Sequence, residues 1–280
     1  MQRIKTLGEI YGPLKKIGQG GFGVVYKTTR KDNGQEVAIK VLFSNRIKSR
    51  SGDSAKEIES NLEKEFNLLQ RLNPKCTKST IVCYKKMYLR TNPRSYVLEM
   101  NLVPGSTVDK LRTLQLTNKE LLKFAKSLLQ TLVFIHSKGI AHRDIKPENV
   151  VCNTRGTCTV IDFGLYCTLS KYKPCNSPAG TPIYMHPHII HNWNYLSNWK
   201  SVDFRKNDIY GVGVIMYELY TGNYFSFINL SNSDIDNAPL WLKYIFKNTI
   251  QQKDYKKIPT ANTLLKAINK YTRPKISKKK

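Results

Sequence analysis

Long hydrophobic runs are missing from this 280-residue sequence. No apolar stretch approaches the ~20 residues that a membrane-spanning helix requires, and none stands at the start as a leader. Acidic residues are scarce: 20 Asp and Glu face 46 Lys and Arg, a formal net charge of +26. That imbalance raises encounter rates with acidic proteins, nucleic acid or anionic membrane surfaces, and says nothing about the fold. The six cysteines, at positions 76, 83, 152, 158, 167 and 175, include no C-x-x-C pair. Scattered cysteines without a leader point to reduced thiols in an intracellular protein, cytoplasmic, nuclear or both. What is present is globular: 40% hydrophobic and 10% aromatic residues, in a chain long enough to bury a large core.

Chemistry concentrates in residues 140–149, IAHRDIKPEN, followed by VIDFG at 160–164. Asp144, Lys146, Asn149 and Asp162 stand on two loops separated by a short apolar hairpin over 150–160, with Gly156 in its turn. The set suits phosphoryl transfer. Asp144 accepts a substrate hydroxyl proton, Lys146 neutralises a γ-phosphate, and Asn149 with Asp162 ligates Mg²⁺. That ion favours hard oxygen donors and keeps waters, so one carboxylate and one amide carbonyl are adequate beside nucleotide phosphates. These residues resemble the catalytic loop and Asp-Phe-Gly segment of eukaryotic-type serine/threonine protein kinases.

The resemblance continues upstream. Residues 11–27 read as strand, glycine-rich turn and strand, with Gly18, Gly20 and Gly23 in G-x-G-x-x-G spacing and Val25 completing the kinase form. Ile17, Gln19, Gly21 and Phe22 belong to the same nucleotide loop. A dinucleotide-binding turn shares the spacing but needs a helix directly after the glycines, whereas Val24, Val25 and Tyr26 continue as strand. In VAIK at 37–40, Ala38 leaves room for adenine and Lys40 reaches the α- and β-phosphates. Helical periodicity over 56–72 carries the lysine's carboxylate partner, Glu65, with Glu63 as the second candidate. Between them, 44–54 reads as a polar loop. The resemblance places Met100 behind the adenine, with Leu98 the alternative, and Asn101 and Leu102 in the hinge. Val151 forms the floor of the adenine site.

Thr117 and Glu120 spell a capping box for a helix that buries Leu121, Ala125, Leu128, Leu132 and Ile135 and stops at Gly139. His136 near its end is structural, and His142 packs beneath Phe163. Asp208 braces the catalytic loop, Cys158 is a buried thiol, and the aromatics Trp193, Tyr195 and Trp199 pack on the larger lobe. Arg143 resembles its counterpart in kinases controlled by activation-segment phosphorylation; Ser177 is the expected phosphosite, with Thr168 and Ser170 in the same segment. The family's Ala-Pro-Glu becomes His186-Pro187-His188, and the arginine that normally pairs with that glutamate becomes Ile258. An apolar or water-filled replacement is expected, because losing both charges is nearly neutral. His186, His188 and His191 cluster without an evident fourth metal ligand.

The resemblance covers residues 11–268. It implies an α+β, bilobal protein-kinase-like fold: a small, mostly antiparallel β lobe with one main helix (about 11–100), a hinge (about 101–105) and a larger, mainly α lobe (about 106–268). Residues 1–10 form an N-terminal extension and 269–280 a basic tail. The implied cofactors are ATP and Mg²⁺, and the implied partners are protein substrates, acidic ones among them. Lys146 and Thr181 favour serine and threonine over tyrosine as acceptors. Two other classes fit parts of the chain: a catalytically weak kinase-fold scaffold, and a basic protein that binds nucleic acid or anionic surfaces.

Overall fold

Alternation writes the first sheet. Residues 36–43 read EVAIKVLF, and Val37, Ile39 and Val41 are buried on one face while their neighbours turn to the other. This computed structural model describes residues 2–19, 23–43, 54–91, 94–169, 175, 179–193, 199, 202–226, 230 and 232–271. The chain divides into two compact units, Met1–Pro104 and Gly105–Lys280.

The first unit contains β1 (Gln2–Ile4), β2 (Lys15–Gln19), β3 (Gly23–Thr29), β4 (Glu36–Phe43), helix α1 (Ala55–Leu72), β5 (Tyr84–Thr91) and β6 (Arg94–Asn101). Its six-stranded sheet runs β1-β5-β6-β4-β3-β2. Every pairing is antiparallel except β1 on β5. The first ten residues give little sequence signal, yet Ile4 and Leu7 join Tyr11, Val37, Ile39, Val41, Tyr88 and Val97 in one buried cluster. Beside that cluster lies a buried charge. Glu99, 1% exposed, accepts from the Tyr11 hydroxyl at 2.7 Å and from Arg30 Nη1 at 2.6 Å, and Arg30 also holds Asp32. Burial and the neighbouring carboxylate push the Tyr11 phenol well above its usual range. Ser54 and Glu57 close a capping box at the start of α1.

The second unit contains β7 (Ser106–Thr107), α2 (Val108–Leu111), α3 (Asn118–Ser137), β8 (Ile140–Ala141), β9 (Val150–Cys152), β10 (Cys158–Val160), β11 (Cys167–Thr168), α4 (Pro187–His191), α5 (Phe204–Thr221), α6 (Asn232–Asp236), α7 (Leu240–Asn248) and α8 (Ala261–Tyr271). The Thr117 capping box opens α3, which buries the apolar stripe read from the sequence. Helix α5 is the hub, buried from Asn207 to Leu219, and a Cβ at Gly211 would lie 2.5 Å from the Ile145 carbonyl oxygen. Trp199 is buried and stacks on Phe204 at 6.0 Å, while Tyr195 lies outside the described residues. The result is the expected α+β architecture, a β-rich unit with one main helix followed by a mainly helical one.

One expectation is overturned. The six cysteines are not thiols but three disulfides, Cys76–Cys83, Cys152–Cys158 and Cys167–Cys175. Cys158 is therefore no inert thiol: it faces Cys152 directly across the β9–β10 hairpin. Spacings of 6 to 8 residues carry no motif, and only the hairpins and turns of the fold bring the pairs together. The reading of a reducing compartment loses the thiols on which it rested. Among the described residues no helix is long and apolar enough to cross a membrane.

The substituted ion pair has been replaced as a whole. Ile258 is 2% exposed, and the exposed His188 stacks on Tyr255 at 5.3 Å. Hydrogen bonds that the sequence did not announce tie the chain around Ile258 to its surroundings. His186 Nε2 donates to the Gln252 carbonyl at 2.8 Å, the Tyr255 hydroxyl donates to the Asp203 carbonyl at 2.7 Å, and Lys206 Nζ donates to the Lys256 and Ile258 carbonyls.

Candidate active site

Paired residues of antiparallel strands share a face of the sheet. Val25 pairs with Lys40, Lys40 with Leu98, and Ala38 with Met100. These five side chains therefore stand on the face opposite Val37, Ile39 and Val41. Glu99 pairs with Ile39 and lies on that other face, held by Tyr11 and Arg30, which fixes the phase of Leu98 and Met100 on either side of it. Gly18 pairs with Val25, and Gln19 with Val24. A Cβ at Gly23 would lie 2.1 Å from the Val41 carbonyl oxygen, so the backbones meet there only because glycine has none. Ile17, in β2, is 38% exposed, whereas Gly20, Gly21 and Phe22 lie outside the described residues.

Helix α1 separates the two candidate glutamates: Glu65 is buried at 3% exposure and Glu63 faces solvent. The Glu65 Oε1 atom accepts from the Tyr84 hydroxyl at 2.7 Å. Asn101 accepts from the Cys83 backbone N–H through its side chain and donates its own N–H to the Cys83 carbonyl, which closes the end of β6; Leu102 follows half-buried.

In the second unit, Asp208 of α5 organises the loop that begins at His142. Its carboxylate accepts from the His142 N–H at 2.9 Å, the Arg143 N–H at 2.8 Å and His136 Nε2 at 2.8 Å. Those bonds hold Arg143 at φ 70°, a left-handed conformation that a residue with a side chain adopts only when its surroundings require it. The Arg143 Nε donates to the Leu165 carbonyl at 2.6 Å, and burial pulls its guanidinium down to about 10. The His142 ring meets Phe163 edge to face at 4.7 Å, as the sequence suggested. Ser177 and Ser170 lie outside the described residues, and Thr168 sits in β11, paired with Ile140.

Four side chains converge at the loop's end. Asp144 Oδ2 accepts from Asn149 Nδ2 at 2.9 Å and from Lys146 Nζ at 2.9 Å. The Thr181 hydroxyl donates to Asp144 Oδ1 at 2.7 Å and accepts from Lys146 Nζ at 2.7 Å. Hairpin pairing brings Asp162 alongside: Val150 pairs with Val160, and the Ile161 N–H donates to the Asn149 carbonyl at 2.9 Å. Asp162, like Arg143, has a left-handed backbone, with φ 58°. Val151 lies in β9 at 9% exposure, paired with Thr107 and Thr159. The sequence located these residues through their motifs. It gave no sign of Tyr84, whose partner is 19 residues away and whose setting in an alternating strand reads as ordinary core.

A mostly antiparallel sheet followed by a helical unit, with a loop on which Asp144, Lys146 and Asn149 share hydrogen bonds, is the setting in which the class of the protein can be stated. The protein kinase domain family profile matches residues 11–277, and the chain belongs to that family. It is 30% identical to serine/threonine-protein kinase TIO of Arabidopsis thaliana over 216 residues, 76% of this chain and 15% of that protein. It is 28% identical to mitogen-activated protein kinase kinase 7 of Arabidopsis thaliana over 212 residues, 75% of this chain and 64% of that one. With CBL-interacting protein kinase 10 of Oryza sativa subsp. japonica it shares 29% over 225 residues, 79% of this chain and 46% of the other. The chain thus spans less than two thirds of the length of these relatives.

Membership in the family implies ATP with a divalent metal. The donors present fit such an ion. The Asn149 amide nitrogen is committed to Asp144, donating to both its backbone carbonyl and its carboxylate at 2.9 Å, which turns the amide oxygen the other way. That oxygen and the Asp162 carboxylate are hard donors on adjoining backbone, the ligand chemistry Mg²⁺ takes.

Proposed function

We propose that this chain is a serine/threonine protein kinase that transfers the γ-phosphate of ATP to protein hydroxyls. The observation that carries the reading is the Thr181 hydroxyl, which donates to Asp144 Oδ1 and accepts from Lys146 Nζ, each at 2.7 Å. An aliphatic hydroxyl thus already occupies the position between base and cation that a serine or threonine acceptor would take. In this reading Asp144 orients the acceptor and takes its proton, and Asn149 fixes the Asp144 carboxylate from the other side. Lys146 neutralises charge on the group being transferred. Lys40, with Glu65 as its partner, holds the α- and β-phosphates. Ile17, Gly18, Gln19, Gly20, Gly21, Phe22 and Gly23 are assigned to the phosphates through the loop backbone. Val25, Ala38, Met100, Asn101, Leu102 and Val151 are assigned to the adenine. Asn149 and Asp162 would hold Mg²⁺, which when bound screens the phosphate oxygens.

Transfer of labelled phosphate to a generic serine/threonine protein substrate, beside a tyrosine polymer, tests the reading. Replacing Asp144 with Asn removes the base and keeps the shape, so kcat should fall by about 10²–10⁴-fold. Equal incorporation by Asp144→Asn and the unmodified chain, or labelling confined to tyrosine, would overturn it.

A further inference from the structure

The carboxylate that the proposed function assigns to Lys40 does not stand alone in its helix. Glu65 and Tyr84 are both buried, at 3% and 1% exposure, and the phenol donates to Glu65 Oε1 at 2.7 Å. Tyr84 opens β5 and pairs with Met100, which pairs with Ala38. Its side chain therefore lies on the same sheet face as Lys40. A second tie joins the same two elements: Gln70, one and a half turns further along α1, donates through Nε2 to the Tyr84 carbonyl. The Phe66 ring stands 6.4 Å from the Tyr84 ring. Carboxylate, amide and ring of one helix are thus all referred to a single residue of the sheet.

We propose that Tyr84 is a positioning residue for the reaction: its hydroxyl fixes the rotamer of Glu65, so that the carboxylate meets the Lys40 ammonium without having to be ordered when nucleotide binds. This rests on the assignment of Glu65 to Lys40. The physical requirement is plain. A buried carboxylate is costly without partners, and a long side chain at a helix surface has several rotamers to lose. A phenol held by its own burial supplies a directional donor that selects one of them, and hydrogen bonds to a charged group are the stronger kind. Phenylalanine or leucine, equally suited to a buried strand, would fill the space without offering that donor.

The test is Tyr84→Phe, which removes one oxygen and keeps the ring. Steady-state kinetics are measured with ATP and a protein acceptor, normalised to folded protein by circular dichroism. The kcat/KM for ATP should fall about tenfold, with KM for the protein acceptor unchanged. In a Glu65→Ala background the same change should have no further effect, because nothing remains to be positioned. A merely structural tyrosine would lower the melting temperature alike in both backgrounds and would show no coupling to Glu65 in kcat/KM. Wild-type kcat/KM in Tyr84→Phe while Glu65→Ala is impaired overturns this inference alone. Wild-type kcat/KM in Glu65→Ala overturns the assignment of Glu65 and this inference with it.

Discussion

His186 stands in a buried pocket of hydrogen bonds that only a neutral ring can satisfy. Its Nε2 donates to the Gln252 carbonyl at 2.8 Å, and its Nδ1 accepts from the His188 N–H at 3.0 Å. Tyr210 and Tyr255 present ring edges at 5.2 Å each, and His188 and Asp254 are the nearby titratable groups. A second proton on Nδ1 would face the His188 N–H, and burial holds the ring's pKa below its usual value. The folded state therefore binds this proton less readily than the unfolded chain. Stability from His186 is present above about pH 6.5, the unfolded value, and is lost as pH falls below it. Replacing His186 with Gln should make the drop in Tm between about pH 7 and pH 5 smaller than in the unmodified chain, read by thermal denaturation across that range. An equal drop in both would show that the ring does not titrate with folding. Such a residue is hard to find in a sequence, since its hydrogen-bond partner is 66 positions away. Asp144, Asn149 and Asp162 are easier to find because they lie within one short stretch, whose hairpin pairing brings them together.

Elements with their own signals were read in advance. The capping boxes at Ser54 and Thr117 and the hairpin closed at Gly156 are local, each settled by a few neighbouring residues. Strand β1 is the contrary case. It spans only three residues and pairs in parallel with β5, so what makes it a strand is a partner more than 80 positions later. Its contribution is apolar: Ile4 is 5% exposed among Tyr88, Val97 and the inward face of β4. Truncating Ile4 to Ala should cost about 2–4 kcal/mol, the range for emptying a buried aliphatic site. Urea unfolding of the folded chain measures it, with an unchanged slope. A loss below about 0.5 kcal/mol, the scale of an exposed substitution, would mean that the segment adds nothing to the unit.

At the scale of the whole chain the cysteines matter most, because three bridges change what conditions the fold tolerates. They join residues 7, 6 and 8 positions apart, and loops of that size each restrict the unfolded chain by about 2–3 kcal/mol. Alkylation of the denatured protein without reductant should label none of the six cysteines. After reduction by a dithiol, each bridge takes up two hydrogens, all six should label, and Tm should fall. Labelling of all six before reduction would restore the thiols, and with them a reducing compartment.

Burial also redistributes charge. Among the described residues Glu65, Glu99, Asp144, Asp208 and Glu218 are withdrawn from solvent, against only Arg30 and Arg143. The scarce acids are disproportionately inside, so the exterior is more one-sided than the composition. Mobile counter-ions must neutralise that polycation, and at physiological ionic strength its field reaches about 8 Å into the solvent.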